Sequence, residues 1–179
     1  MWNIIKINKK IIIKTEYKVF AGIGLLTLAI IVGGVWLSSK KGIENKERQS
    51  KPLMGEKMAD MGAQHVARDK AHPPYNSNPP TSGPHFGNGV AGPGIKDELV
   101  PDELVLHSME HGAAVVWYRD DLPQSDVDKI KSAFQSASGK KIMLSRKELD
   151  VPVALTSWGY LLKLQTIDEA KIKEFIETN

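Results

Sequence analysis

Cysteine is absent from this chain of 179 residues, and its absence excludes several kinds of chemistry. Without a thiol the protein can form no disulfide bond, no thiolate metal site, no cysteine nucleophile and no lipid-modified N-terminal cysteine. Its stability must therefore come from packing. The 115 residues from His65 to Asn179 are enough for one hydrophobic core, but hardly for two.

A basic surface is also missing from most of the chain, although the whole sequence carries a net charge of +3. Residues 1–41 contain seven lysines and one glutamate, which gives +6. Residues 42–179 contain 17 basic and 20 acidic side chains, which gives −3, and no basic stripe stands out among them. We therefore expect no nucleic-acid partner.

The longest apolar run is residues 19–37, VFAGIGLLTLAIIVGGVWL, which contains no charged residue. At about 1.5 Å per residue, a helix of this length nearly spans a hydrocarbon layer roughly 30 Å thick. A buried core helix and a secretory signal are the alternatives, but the apolar part of a signal is usually about 7–15 residues and precedes small residues at a cleavage site. We predict an uncleaved transmembrane helix over residues 19–37, which makes the membrane a partner.

Lysines before the apolar run predict its orientation. They stand at Lys6, Lys9, Lys10, Lys14 and Lys18, against a single Glu16. Because positively charged flanks stay in the cytoplasm, residues 1–18 should be cytoplasmic and the rest of the chain extracytoplasmic. Lys40 and Lys41 on the far side weaken this asymmetry. We predict a single-pass protein of the cell membrane.

Residues 38–62 are predicted to be a tether, because Lys, Glu, Gln, Asn and Ser dominate them and large apolar residues are few. Within this segment Met54, Met58 and Met61 fall at helical spacing. Thioethers on an exported protein can be soft ligands for Cu(I). The alternative is a short amphipathic turn that packs on the folded domain.

A second irregular segment is residues 72–94, which are crowded with Pro, Gly, Asn and Ser. A loop of this length in a compact domain is usually functional or disordered. The prolines restrict the backbone, and Tyr75, His85 and Phe86 supply groups that could anchor the loop. We predict an ordered, functional loop.

The remaining residues alternate between strand and helix signals. Strands are predicted at residues 113–118, at residues 141–144, and at residues 153–164, the last being long or bent at Gly159. Ser125 suits the N-cap of a helix that ends before Gly139. Thr166 and Glu169 form a capping box before a last helix. We therefore predict an α+β fold, in which residues 63–179 form a small two-layer domain with a long Pro/Gly-rich loop.

All five histidines lie between His65 and His111, so the chemistry is concentrated in the first half of the domain. The sharpest pattern is HSMEHG at residues 107–112. In a helix, His107 and His111 share one face and can chelate one ion. In a strand, at about 3.3 Å per residue, the same two residues are too far apart. The proline and acidic residues before the pattern, and the glycine that ends it, favour the helix.

Imidazoles at these positions predict a transition-metal site. We take His85, His107 and His111 as the principal ligands, with His65 as a further one. Imidazole suits Zn, Cu, Fe or Ni, and a thioether from Met109 would favour copper, so the expected cofactor is a copper or zinc ion. Glu110 is expected to orient a ligand histidine from outside the metal's coordination shell. The alternative for each histidine is a hydrogen-bonded structural role.

The letters H-x-x-E-H also match metalloproteases of the inverzincin type. In those enzymes two histidines bind Zn²⁺ and the glutamate activates the metal-bound water. The match is short, and a further carboxylate ligand cannot be assigned. We do not expect an enzyme and assign no catalytic residue.

The segments YNSNPPTSGPHF, LVLHSMEHGAAVVWY and VALTSWG together resemble domain-of-unknown-function family 3105, whose prokaryotic members often carry an N-terminal anchor. The resemblance covers residues 60–179. It implies no activity, but it implies that the signature positions are His65, His85, His107, Glu110 and His111.

Three functions follow from these patterns. The first is a membrane-tethered extracytoplasmic domain that binds a transition metal through its histidine cluster. The second is a non-catalytic protein interaction module, in which the Pro-rich loop docks a partner and the histidines are structural. The third is a metal-dependent hydrolase. Convergence of the imidazole nitrogens on one point would distinguish the metal sites from the interaction module.

Overall fold

The computed structural model describes residue 18, residues 20–40 and residues 51–179, and the structural statements below concern these residues. The predicted cytoplasmic segment apart from Lys18, and residues 41–50 of the predicted tether, lie outside them. The chain divides into an N-terminal unit and a compact unit, Lys51–Asn179. The first contains helix α1, Phe20–Lys40, whose mean hydropathy reaches 2.2. Helix α1 is therefore long and apolar enough to cross a membrane.

The compact unit contains eight strands and three helices among its described residues. The strands are β1 (Glu56–Lys57), β2 (His65–Val66), β3 (His85–Phe86), β4 (Gly94–Lys96), β5 (Ala114–Arg119), β6 (Lys141–Arg146), β7 (Val153–Ser157) and β8 (Tyr160–Leu164). The helices are α2 (Asp102–Glu110), α3 (Gln124–Ser136) and α4 (Glu169–Thr178). Six strands form one mixed sheet in the order β1-β8-β7-β5-β6-β4, and β2 pairs with β3 in parallel.

The connections explain why this sheet is mixed. Strands β4 and β5 both run parallel to β6, because helix α2 returns the chain between β4 and β5 and helix α3 returns it between β5 and β6. Strand β7 pairs antiparallel with β5 and with β8, and β1 adds antiparallel to β8 at the edge. The predicted α+β class is confirmed.

Both faces of the sheet are covered, so the prediction of two layers is wrong. Because successive side chains in a strand point to opposite faces, Ala114 and Val116 pack with α3 and α4, whereas Val115 and Trp117 pack with α2. Helix α2 therefore adds a third layer. The two-layer prediction counted only the later helices, because the short segment before β5 had competing helix and strand interpretations.

Two helix starts differ from their predictions. Helix α3 begins at Gln124, with Pro123 at the N-cap position and no side-chain cap, so the assignment of Ser125 as its N-cap is wrong. Proline holds the extended backbone there (φ −54°, ψ 143°). Helix α4 is capped by Asp168, whose carboxylate accepts a 3.0 Å hydrogen bond from the Lys171 amide. The predicted capping box at Thr166 is wrong, since the helix begins two residues later than that box requires.

The predicted strand over residues 153–164 is two strands joined by a hairpin. Ser157 and Tyr160 pair across a two-residue turn, in which Gly159 adopts φ +77°. A residue in this left-handed region is favoured as glycine. The apolar pattern continues through both strands because both lie within the sheet.

Residues 51–62, the described part of the predicted tether, pack against the sheet. Strand β1 pairs with β8, with Glu56 opposite Leu161. Met54 packs against the α3/α4 face and Met58 against the α2 face. The Met61 sulfur accepts a hydrogen bond from the Asn76 amide, with an N···S distance of 3.2 Å. These contacts agree with methionines that pack on the domain.

Candidate metal centre

Helix α2 carries two residues of the site, His107 and Glu110, and its helical conformation is confirmed. Pro101 stands at the N-cap position, and Asp102 and Glu103 occupy the first turn, where their negative charge interacts favourably with the helix dipole. The helix ends at Glu110, and Gly112 follows with φ +80°. His107 and His111 are therefore one turn apart, with ring centroids separated by 4.8 Å.

Arg146 of β6 fixes the start of helix α2. Its guanidinium donates two hydrogen bonds to the Asp102 carboxylate, at 2.7 and 3.0 Å, and a third to Asn78 at 2.6 Å. It also lies over the Trp117 ring, 4.9 Å from the centroid. One side chain thus links the sheet to helix α2 and to the Pro/Gly-rich loop, which carry the site.

The Pro/Gly-rich loop is ordered by backbone hydrogen bonds, and residues 79–86 are buried. The His85 amide donates to the Gln64 carbonyl at 3.0 Å, which sets β3 beside β2 and His85 opposite His65. The Tyr75 hydroxyl donates to the Pro84 carbonyl at 2.7 Å. Gly83 adopts φ +129°, and a Cβ there would lie 3.0 Å from the Tyr75 ring. This glycine therefore permits the close packing that places His85.

Three imidazoles and one carboxylate converge at this point; we call His65, His85, His107 and Glu110 the inner group. Their potential ligand atoms all lie within 4.8 Å of one another. The three ring centroids form a nearly equilateral triangle, with sides of 4.9, 5.1 and 5.3 Å. The Glu110 Oε2 atom lies 3.1 Å from His85 Nε2 and 3.3 Å from His65 Nε2.

Backbone carbonyls determine which nitrogen two of these histidines present. His85 Nδ1 lies 2.9 Å from the Gly83 carbonyl oxygen, and His107 Nδ1 lies 2.8 Å from that of Gly89. A carbonyl oxygen can only accept, so each Nδ1 carries the proton and donates it. In the neutral ring Nε2 then bears the lone pair, which is the arrangement found in metal-binding histidines.

Because its Nδ1 donates to Gly83, His85 presents an Nε2 lone pair to an oxygen of Glu110. His85 is fully buried, and its Nε2 is 3.1 Å from a carboxylate oxygen, which is also an acceptor. Two acceptors at this distance need a cation between them or a proton on the ring. Partial burial acts to raise the pKa of Glu110, but where no ion is bound, hydrogen bonds donated to it by His65 and His85 outweigh that effect and lower the pKa, so the carboxylate stays ionised.

The inner group has the composition and approximate size of a metal site. A tetrahedral Zn²⁺ ion with bonds of about 2.0–2.1 Å holds its ligand atoms roughly 3.3 Å apart. The widest separation here would therefore have to close by roughly 1.5 Å. His65 and Glu110 can supply that movement, because their side chains are 52% and 30% exposed.

Two predicted ligands, Met109 and His111, lie outside the inner group, and Glu110 has a different place from the predicted one. Met109 is 1% exposed and packs in the apolar core under α2. His111 is exposed, with its Nε2 atom 3.1 Å from His107 Nε2. Glu110, predicted to orient a ligand from outside the coordination shell, instead presents an oxygen among the potential ligands. The fifth histidine, His72, contacts Glu103 at 3.1 Å.

Sequence reasoning did not identify the carbonyl oxygens of Gly83 and Gly89, which orient the two buried imidazoles. A carbonyl is present at every residue, so no letter in the sequence marks one. Both residues are glycines of the Pro/Gly-rich loop with positive φ, but only Gly83 stands close in sequence to the histidine that it orients, whereas Gly89 lies 18 residues before His107.

The fold and site define a small α+β domain with a histidine-rich centre beside a three-layered core. Residues 65–179 match the family described as "Protein of unknown function (DUF3105)", and the chain belongs to that family. No curated protein and no solved structure matches the chain.

Proposed function

We propose that the domain binds one divalent transition-metal ion through His65, His85, His107 and Glu110. The observation that carries the proposal is the pair of Nδ1 hydrogen bonds to Gly83 and Gly89, which leave two Nε2 lone pairs for the centre. A structural histidine pair would need no such arrangement around an ionised carboxylate. Three neutral imidazoles and one carboxylate carry a single negative charge, which attracts a divalent cation and reduces the net charge of the bound ion to +1.

Zn²⁺ is the ion that this arrangement supports best. Nearly equal ring separations of 4.9–5.3 Å favour three ligands on one side of an ion, as in a tetrahedron. Square-planar Cu²⁺ would place one pair of three ligands opposite each other and so further apart. Met109 packs in the core, so it gives no support to a Cu(I) site.

Metal analysis tests this proposal. The full-length chain, purified in detergent with a tag free of histidine, is expected to bind one Zn²⁺. Glu110→Gln should weaken binding on the order of tenfold to a hundredfold, whereas Glu103→Gln on the same helix should not. His85→Ala should abolish stoichiometric binding while circular dichroism remains that of the folded chain. A folded parent that binds no Zn²⁺ or Cu²⁺ would overturn the proposal.

We further propose that α1 anchors this centre outside the cytoplasm. Helix α1 is apolar over 21 residues, and lysines dominate the segment before it. Because the chain lacks cysteine, single cysteines can report topology directly. An impermeant maleimide should label Lys173→Cys in intact cells but label Asn8→Cys only after lysis. The reverse pattern would place the domain in the cytoplasm.

Two other functions have less support. An interaction module that docks partners on its Pro-rich loop would have only part of that loop available, because residues 79–86 are buried while Pro73, Pro74 and Pro93 are exposed. A hydrolase of the H-x-x-E-H type requires a glutamate free to activate water, but Glu110 contacts His65 and His85.

A further inference from the structure

His111 occupies a different position from the residues of the inner group. It is exposed and forms the C-cap of helix α2, while its ring reaches back to His107. The two Nε2 atoms lie 3.1 Å apart. His107 therefore belongs both to the inner group and to an outer pair, which we define as His107 and His111.

Because His107 Nδ1 donates to Gly89, the His107 lone pair is on Nε2, and that one nitrogen lies 3.1 Å from His111 Nε2 while His107 also belongs to the inner group. With the proton of His111 on Nδ1, its Nε2 offers a second lone pair. A tetrahedral ion separates two imidazole nitrogens by roughly 3.3 Å, so the outer pair is already spaced to chelate one ion.

The metal-binding nitrogens of His85 and His111 differ in their access to solvent. His85 is fully buried, so an ion reaches its Nε2 atom from solvent only past side chains that are exposed, which are those of His65, Glu110 and His111. His111 is exposed and also lines a cavity of about 330 Å³ formed with Val90, Pro93 and Ile142. This cavity gives the His111 ring room to turn away from His107.

We propose that the outer pair is the exchange position of the metal centre, where an ion binds before it passes to the inner group. This inference rests on the proposed function. In the transfer the bond from the ion to His107 is kept, the bond to His111 Nε2 breaks and a bond to His85 Nε2 forms. No electron is transferred, and the same steps in reverse release the ion. His111 thus sets the rate of exchange without being a ligand in the final state.

Rapid-mixing kinetics test this role. The full-length protein in detergent is mixed with Zn²⁺ and, separately, the loaded protein is mixed with a fluorescent chelator. His111→Ala should keep one Zn²⁺ per chain with a nearly unchanged Kd, while the association and dissociation rates both fall on the order of tenfold, a change of about 1.4 kcal/mol in each barrier. His72→Ala is the matched control, since it removes a histidine outside both groups, and should leave the rates unchanged.

The outcomes separate the two proposals. Unchanged rates in His111→Ala, with parental binding intact, would overturn the exchange position and leave the inner group standing. Loss of stoichiometric Zn²⁺ in a folded His111→Ala variant would also overturn it, because His111 would then be a permanent ligand. Absence of Zn²⁺ binding by the parent would overturn the proposed function and this inference together.

Discussion

The two faces of the central sheet are built for different purposes. On the α3/α4 face the buried hydrophobic cluster includes Ile130, Phe134, Ile172 and Phe175, with the buried Ser157 at its edge accepting a hydrogen bond from the Asn179 side chain at 3.0 Å. The α2 face also has an apolar cluster, around Trp117, but this cluster lies next to buried polar residues. These are Thr81, Ser82, His85, His107 and Ser108, and on the face itself Thr156, which accepts a hydrogen bond from Trp117. Because a buried polar group costs free energy unless it is hydrogen-bonded, this difference separates a stabilising face from a face shaped around a site.

The largest expected effect comes from breaking the apolar face. Phe175 is 0% exposed, so Phe175→Ala should lower the free energy of unfolding by about 3–5 kcal/mol through lost contacts and a cavity. Urea unfolding of the full-length chain in detergent measures the change. Lys173→Ala, on the exposed side of the same helix, should change it by less than about 0.5 kcal/mol. Equal effects from the two variants would contradict the assignment of this face as the main core.

The second variant, Arg146→Ala, should change both the stability of the domain and its affinity for Zn²⁺. Arg146→Ala removes charge-assisted hydrogen bonds to Asp102 and should cost about 1.5–3 kcal/mol. Zn²⁺ affinity should fall as well, because the start of helix α2 loses its link to the sheet. Lys147→Ala is the neighbouring control. Unaltered Zn²⁺ affinity in a destabilised Arg146→Ala variant would mean that the site does not depend on this link.

The stability of the α2 face should depend on pH through His72. A hydrogen bond with Glu103, and another to the Pro73 carbonyl, raise the pKa of His72 despite partial burial. A raised pKa means that this stabilisation is fully present below the unfolded pKa near 6.5 and is lost as pH rises through the folded pKa. His72→Gln should therefore lower stability by about 1–2 kcal/mol near pH 6 and by less near pH 9.

The comparison of parent and variant isolates His72, because every other titrating group is common to both chains. Urea unfolding at the two pH values gives the required difference. A cost that grows with pH would show that neutral His72 is the stabilising form.

The smallest effect should come from the cap on the apolar face. Asp168→Ala removes the acceptor of the Lys171 amide and should cost about 1 kcal/mol without altering Zn²⁺ binding. Thr166→Ala should have almost no effect, since Thr166 does not cap α4. A larger cost for Thr166→Ala, measured by thermal unfolding, would restore the capping box that the structure does not contain.

Periodicity predicted the elements better than their ends. The apolar residues of α3 and α4 and the runs of β5 and β6 identify their secondary structure, because one buried face imposes a regular spacing. The N-cap predictions were wrong for two reasons: Pro123 starts α3 without a side-chain cap, and Asp168 caps α4 in place of Thr166 two residues earlier. The hairpin at Gly159 was missed since its two strands form one continuous apolar pattern.

The candidate site was predicted in composition but not in arrangement. Four residues of the inner group were named from sequence, with Glu110 given a different place in the site. The loop before β3 has no period from which its path can be read, so its approach to α2 could not be derived. Nor could burial of Met109, because a methionine at that helical position suits a ligand and a core residue equally.

By itself the sequence determined an apolar helix near the N-terminus, an α+β domain without thiol chemistry, and a concentration of histidines before β5. These properties depend on composition and local spacing. Only the tertiary structure decided that α2 covers the second face, and that His65 and His85, 20 residues apart in the chain, lie opposite each other in paired strands. It also decided which imidazole nitrogen faces the centre, because that depends on carbonyl oxygens that only the folded backbone brings into place.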